Sequence, residues 1–279
     1  SSPVNRFFYG LALPVGYKYS SYCYEKKEPP FFWRVTNGLT DWLIFRPLRD
    51  KVGLQKTKHA ITAGSTLSPD AFQYLRAVGV NLKQIFGITE VGNVSMHRDN
   101  DIRFESVGQI CPQVEVKFTD AGELMVKSGG VAVGYYKNPE ATQKAFRDGW
   151  FYSGDAGYLD KDGHFIYWDR VVDLLELAGG AKFSPQYIEG RLKFSQYVKD
   201  VMVLGGKDKA YVTAIVNIDF ENVGKWAEKR RIAYTTFVDL SQKAQVLGLI
   251  HQDIERVNKT LPDTANVRKF VLLHKEFDP

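Results

Sequence analysis

The stretch Ile85-Phe86-Gly87-Ile88-Thr89-Glu90 decides how the rest of the chain reads. A short apolar run (Ile85, Phe86) breaks at a glycine and delivers a hydroxyl and a carboxylate side by side. An aromatic followed by glycine is most often a strand end packed in a core, and alone the stretch says no more than that. The same residue types also suit a nucleotide. A ring stacks on a base, and a glycine lets the backbone come close. A threonine hydroxyl reaches a phosphate oxygen. A glutamate helps hold Mg²⁺, which takes only one or two carboxylates beside phosphates and water.

The preceding chain supports a ligand-binding α/β unit. His59-Ala60-Ile61-Thr62 reads as a strand running into the turn Ala63-Gly64-Ser65-Thr66-Leu67. A helix opens at Ser68-Pro69-Asp70, where a serine cap, a first-turn proline and a first-turn acid are independent start signals. Gly79 supplies the stop, and Val80 to Phe86 forms the next strand. Strand, glycine turn, helix and strand make a βαβ unit, and α/β folds bind ligands at the turns beyond their strand ends.

Further out the pattern changes. Residues 107–168 carry short alternating strands, such as Val114/Val116/Phe118 and Leu124/Val126, punctuated by Asp-Gly and Gly-Gly turns. This reads as a small antiparallel barrel or sandwich, interrupted by a capped helical turn at Asn138-Pro139-Glu140. Beyond Arg170 the chain reads as an α+β unit. Ser184-Pro185 caps one helix. Val201–Leu204 and Tyr211–Ile218 are strands, and Val267–Leu273 is the last one. One long helix is expected from Leu240 through Ala244, Leu247, Ile250, Ile254 and Val257 to Leu261, with Asp239 and Gln242 as its capping box. Residues 1–56 are aromatic and helical in period. Phe7, Phe8, Leu11 and Val15 are interrupted by Pro14, and a second run carries Phe32, Val35, Leu39, Trp42, Leu43, Phe45 and Leu48. Core packing is the preferred reading of both. Peripheral membrane contact is the alternative, because Lys18, Lys26, Lys27, Arg46, Arg49 and Lys51 flank the apolar residues.

Composition excludes several classes. The 279 residues are 44% apolar and 25% charged, with 18 Phe, 15 Tyr and 5 Trp, which suits a folded core and not disorder. A net charge of +5 without a dense Lys/Arg block argues against nucleic acid. Two widely spaced cysteines give neither a disulfide framework nor a zinc site, which fits a cytoplasmic setting.

With these motifs in order, the sequence resembles the adenylate-forming ligases, and within them the long-chain fatty-acid–CoA ligases. Ala63-Gly64-Ser65-Thr66-Leu67-Ser68-Pro69 matches the glycine turn that meets adenine. Phe86-Gly87-Ile88-Thr89-Glu90 matches the aromatic-Gly-x-Thr-Glu signature. Gly122-Glu123-Leu124-Met125-Val126, Gly134-Tyr135 and Asn138-Pro139-Glu140-Ala141-Thr142 match the next motif. Gly149-Trp150-Phe151-Tyr152-Ser153-Gly154-Asp155 matches the segment whose aspartate holds the ribose. Asp169-Arg170 with Asp173, Gly179-Gly180 and Tyr187-Ile188-Glu189 match the junction between a large and a small domain.

The resemblance implies an α/β fold with a β-barrel subdomain, followed by a smaller α+β domain, incomplete at both ends. Residues 1–106 would be the last part of the large domain, 107–170 the β subdomain and 171–279 the mobile small domain. It implies an enzyme that joins a long-chain fatty acid to AMP from ATP and passes it to coenzyme A. Thr89 and Glu90 would act at the phosphate and Mg²⁺. Gly64, Ser65, Phe86 and Gly87 would line the adenine slot. Asp155 would hold the ribose, Arg170 the nucleotide, and Gly179 and Gly180 would lie toward coenzyme A. The alternatives are another carboxylic acid as substrate, or a non-catalytic nucleotide-binding relative.

Some family features differ. Nothing in residues 1–60 resembles the Ser/Thr/Gly phosphate loop, which is expected upstream of residue 1. The adenylating lysine is expected beyond the C-terminus, so Lys275 is not given that role. The chain alone is expected to be inactive or nearly so, because losing a single preorganised donor costs roughly 10²–10³ in rate. Val171, Val172, Glu176 and Ala181 stand where relatives carry other residue types, and these changes bear on the thioester half-reaction.

Overall fold

The computed structural model describes residues 3–64, 67–99, 101–259 and 261–275. The chain divides into two compact units, Ser1–Tyr167 and Trp168–Pro279.

The first unit opens with helix α1 (Pro3–Tyr24), α2 (Phe31–Thr40), a π-helical turn (Asp41–Phe45) and α3 (Arg46–Lys51). Helix α1 runs unbroken through Pro14, so the interruption expected there does not occur. Strand β1 (Ala60–Thr62), α4 (Pro69–Ala77) and β2 (Leu82–Ile88) form the expected βαβ unit, with β1 and β2 parallel. Ser68 caps α4 by accepting from the Ala71 amide at 3.2 Å, and Gly79 takes φ +85° after the helix. Strands β3 (Gly92–Met96) and β4 (Gln109–Ile110) extend this sheet antiparallel, in the order β1-β2-β3-β4.

The face that α1 packs is the reverse of the one its large apolar residues suggest. Ala12, Gly16 and Ser20 pack inward, while Phe7, Phe8 and Leu11 are exposed. A Cβ on Gly16 would lie 2.3 Å from the Ala77 carbonyl oxygen, so only glycine permits this approach to α4. The α2 region behaves alike. Phe31, Phe32, Val35, Leu39, Trp42 and Leu43 face solvent and Phe45 alone of that run is fully buried. The expectation that these helices bury their apolar stripes is therefore corrected for the chain described here.

The second sheet of this unit comprises β5 (Glu115–Phe118), β6 (Glu123–Lys127), β7 (Phe146–Arg147) and β8 (Trp150–Leu159), with helix α5 (Pro139–Ala145) before β7. Its order is β5-β6-β8-β7, and β9 (Phe165–Arg170) pairs with β8. The sheet is antiparallel and curled, as the alternating sequence predicts.

The second unit contains a 3₁₀ turn (Val171–Asp173), a two-stranded ribbon β10 (Leu175–Glu176) and β11 (Lys182–Phe183), then α6 (Pro185–Leu192) and β12 (Val198–Leu204). β13 (Val212–Ile218), α7 (Phe220–Lys229), α8 (Phe237–Gln242), α9 (Ala244–Asn258) and β14 (Val267–Leu272) follow. β12 and β13 are antiparallel, whereas β13 and β14 are parallel and joined by the helical crossover such pairs require. The single long helix is corrected to two. Lys243 leaves the helical region at ψ 130° and separates α8 from α9. The cap is Thr236, which accepts from the Asp239 amide, while Asp239 reaches back to the Thr235 amide. This reciprocal box replaces the one expected at Asp239 and Gln242. Among the described helices, none is long and apolar enough to cross a membrane.

Candidate active site

The opening stretch forms a strand end and a tight corner. β2 runs to Ile88, and the Val91 amide donates to the Ile88 carbonyl at 2.9 Å. Thr89 and Glu90 are thus the two central residues of a reverse turn into β3, with Thr89 exposed and Glu90 half-buried. Gly87 is needed for close approach, since a Cβ there would lie 2.8 Å from the Gly92 carbonyl oxygen. Phe86 is half-buried. Its ring meets Phe165 edge-on at 5.1 Å and Tyr167 at 5.4 Å, both from β9.

The corner is held by the loop between β6 and α5. The Ala132 amide donates to the Glu90 carbonyl at 2.7 Å, and the Tyr135 hydroxyl donates to Glu90 Oε1 at 2.6 Å. Tyr135 is held in turn: its amide donates to Thr142 Oγ1 at 2.9 Å, and its ring lies edge-on to Phe146. Asn138 caps α5 by accepting from the Ala141 amide. The Asn138–Thr142 motif therefore braces Gly134-Tyr135, which braces Glu90. Sequence reasoning quoted these motifs separately and missed this bond, because nothing in the spacing of residues 45 positions apart signals it.

Asp155 sits on a bulge. Glu123 pairs with Ala156 and Met125 with Tyr152, so extra residues of β8 leave the ladder around Ser153-Gly154-Asp155. A bulge re-aims a side chain. Here Gly154 takes φ +71° and its amide donates to Glu123 Oε1 at 2.9 Å. Ser153 Oγ accepts from the Asp155 amide and donates to the Leu124 carbonyl. Asp155 is 4% exposed, which marks it as more than a solvated turn residue. Glu123, whose carboxylate shapes this bulge, is a second residue missed beforehand.

The Phe86–Glu90 corner and the Asp155 bulge are rooted in one apolar cluster, which includes Phe86, Ile88, Val91, Leu124, Phe151 and Phe165. Gly64 takes φ +86° in the turn after β1, and Ser65 lies outside the described residues. Arg170, Gly179 and Gly180 belong to the second unit. There Asp169 is buried, accepts from Ser184 Oγ at 2.6 Å and from the Arg170 amide at 2.9 Å, and so ties the start of the unit to the cap of α6. Gly179 and Gly180 form the tip of the β10–β11 ribbon, with the Gly180 amide donating to the Leu177 carbonyl. Val172 is 86% exposed on the 3₁₀ turn.

Among the described residues no cluster of three or more His, Cys, Asp or Glu could hold a metal. A lone half-buried glutamate still suits Mg²⁺, which draws its other ligands from phosphates and water. A cavity of about 730 Å³ in the second unit, lined by Leu204, Thr213, His251, Arg268, Lys269 and Phe270 among others, contains none of the expected site residues.

Residues 172–278 match the family described as AMP-binding enzyme C-terminal domain. The chain is 27% identical to the long-chain-fatty-acid–CoA ligase FadD15 of Mycobacterium bovis, over 96% of the chain and 45% of that protein. It is 30% identical to long chain acyl-CoA synthetase 1 of Arabidopsis thaliana, over 68% of the chain and 31% of that protein. The chain thus spans less than half the length of these curated relatives. In fold it is similar to the A domain of a carboxylic acid reductase from Segniliparus rugosus, solved with AMP and a co-purified carboxylic acid. That match has a TM-score of 0.61 at 19% identity, covering 98% of this chain and 41% of that one. Motif order, fold and these likenesses agree, and the chain is a member of the adenylate-forming, AMP-binding enzyme superfamily, with relatives named as long-chain fatty-acid–CoA ligases.

Proposed function

We propose that the protein carrying this chain activates a long-chain fatty acid with ATP and transfers it to coenzyme A. A carboxylate is a poor acyl donor because its leaving group would be oxide. Attack of the carboxylate oxygen on the α-phosphorus releases pyrophosphate and forms an acyl-AMP. Attack of the coenzyme A thiol on the acyl carbon then releases AMP.

The residue roles are those the family resemblance implies, and the chemistry of each side chain supports them. Asp155 accepts from the two ribose hydroxyls, a task one carboxylate performs through its two oxygens. Thr89 donates to a phosphate oxygen from its exposed place on the turn. Glu90 is the carboxylate that would hold Mg²⁺, whose charge offsets that of the phosphates. By that resemblance Gly64, Ser65, Phe86 and Gly87 would meet the adenine, and Arg170, whose planar fork stays charged, would meet the nucleotide. Gly179 and Gly180 would lie toward coenzyme A by the same resemblance.

The observation that carries this reading is the bulge at Ser153-Gly154-Asp155. It holds a buried carboxylate in a ladder distorted by a glycine at φ +71°. Asp155→Ala in the intact protein should raise the KM for ATP sharply, by tenfold or more on the order of one lost charge-assisted hydrogen-bond pair. Acid-dependent pyrophosphate release is the assay, with acids of different chain length as substrates. Unchanged ATP kinetics would remove Asp155 from the ribose, and a preference for short or aromatic acids would replace the fatty acid.

A further inference from the structure

Resting on the reading of Glu90 just given, we propose that Tyr135 is a positioning residue for the Glu90 carboxylate. It would fix one carboxylate oxygen and leave the other for the divalent cation that accompanies a nucleoside triphosphate.

The geometry carries this in three steps. First, the contact is strong: the phenol donates to Oε1 at 2.6 Å, the short range of an O–H bonded to a charged acceptor. Among the described residues no other hydrogen bond reaches the Glu90 carboxylate. Second, the phenol is itself held. Tyr135 has its amide on Thr142 Oγ1 and its ring against Phe146. Gly134 precedes it with φ +150°, where a Cβ would lie 2.6 Å from Thr142 Cγ2. The loop is also fixed through the Ala132 amide on the Glu90 carbonyl. A side chain anchored at both amide and ring directs its hydroxyl without losing much freedom when the ion arrives. Third, the donor is neutral. A lysine or arginine here would cancel the carboxylate charge and compete with the cation. A phenol orients the carboxylate and leaves its charge intact.

A free glutamate on an exposed turn samples many rotamers, and ordering it weakens ion binding. Partners that orient a metal ligand typically contribute roughly 10–100-fold in metal affinity.

The test is Mn²⁺ binding, followed by loss of the free-ion EPR signal, to the intact protein saturated with a non-hydrolysable ATP analogue. Wild type, Glu90→Gln and Tyr135→Phe are compared, and affinity for AMP is measured separately in EDTA. Tyr135→Phe should weaken Mn²⁺ binding about tenfold or more, with AMP affinity in EDTA unchanged. In steady-state assays the half-saturating Mg²⁺ should rise while the KM of the acid stays constant. If Glu90→Gln weakens Mn²⁺ and Tyr135→Phe does not, the role of Tyr135 is overturned and that of Glu90 stands. If neither variant weakens it, both fall. If Tyr135→Phe lowers Mn²⁺ and AMP affinity together, the hydroxyl is structural and the proposal is overturned. Should Tyr135→Phe fail to fold, Thr142→Val removes the hydroxyl that holds Tyr135. It should shift Mn²⁺ affinity in the same direction by less, and no shift would overturn the proposal.

Discussion

His97 is fully buried in the first unit, where a charged imidazole has no place. Its Nδ1 accepts the Gln84 amide at 3.1 Å, and its Nε2 contacts the Arg103 carbonyl at 2.9 Å and Ser106 Oγ at 3.1 Å. Protonating Nδ1 would break the bond to an amide that has nothing else to offer. Burial thus pulls the imidazole down to about pH 4 from 6.5, against the opposing pull of the Arg103 carbonyl. The unfolded chain takes up the proton near 6.5 and the folded chain only near 4, so the unfolded state holds more protons between these values. Stability from this site is therefore complete above pH 6.5 and declines as the pH falls toward 4. The slope is about 1.4 kcal/mol per pH unit, or roughly 3 kcal/mol across the window. Denaturation of wild type and His97→Gln between pH 7 and 4.5 isolates it: their stability difference should shrink with acid, and a constant difference would contradict the assignment. The neighbouring line Ser106–His164–Asp101, with contacts of 2.9 and 3.1 Å, has the residue types of a nucleophilic relay. Ser106 is only 1% exposed and also accepts the Gly108 amide, so no substrate carbonyl reaches it. The network is structural. It ties the segment after β3 to the turn before β9.

At the scale of elements, cap chemistry was the most legible signal. Ser68, Asn138 and Ser184 each accept the amide three residues on, as their positions before proline predict. The caps are not equivalent. Asn138 is exposed and, among the described residues, its side chain only caps its helix, whereas Ser184 also donates to the buried carboxylate of Asp169. Asn138→Ala should cost about 1 kcal/mol. Ser184→Ala should cost more, about 2–3 kcal/mol, because it also takes a partner from a buried charge. Urea unfolding of the two variants checks the order, and equal losses would show that the Asp169 bond contributes nothing. Helix continuity was less legible. The residues from Leu240 to Leu261 have an unbroken three-or-four spacing, yet Lys243 turns the chain and Leu247 is exposed. Periodicity records which positions share a face while a helix lasts, and it carries no term for a backbone break at a residue of ordinary propensity. Helix α7 went unread although its buried residues, Val223, Gly224 and Ala227, share one face.

Across the whole chain, the limit on reading the sequence was what covers each face. The βαβ unit, the curled antiparallel sheet and the final α+β unit follow from patterns complete within short windows. The Glu90–Tyr135 bond and the Asp155 bulge needed strands brought together from distant positions, and no local window contains them. The helices before residue 52 show the same limit in reverse. Their large apolar residues have helical spacing, but α1 packs through Ala12, Gly16 and Ser20 because small residues admit the closest approach to α4. What remains outward is a stripe from Phe31, at 82% exposure, through Phe32, Val35 and Leu39 to Trp42 and Leu43, and on α1 Phe7, Phe8 and Leu11 are exposed as well. Soluble monomers rarely expose contiguous apolar patches beyond a few hundred square ångströms. The 279-residue chain by itself should therefore bind a hydrophobic dye and self-associate as its concentration rises. Replacing Phe32, Leu39 and Trp42 together by serine should reduce both, since these positions are exposed and remove no core contact. Sedimentation velocity and dye fluorescence at several concentrations decide the matter. If the triple variant associates as strongly as wild type, the driving surface lies elsewhere. If wild type stays monomeric and dark to the dye, the stripe is covered in solution and the outward orientation of these helices is wrong.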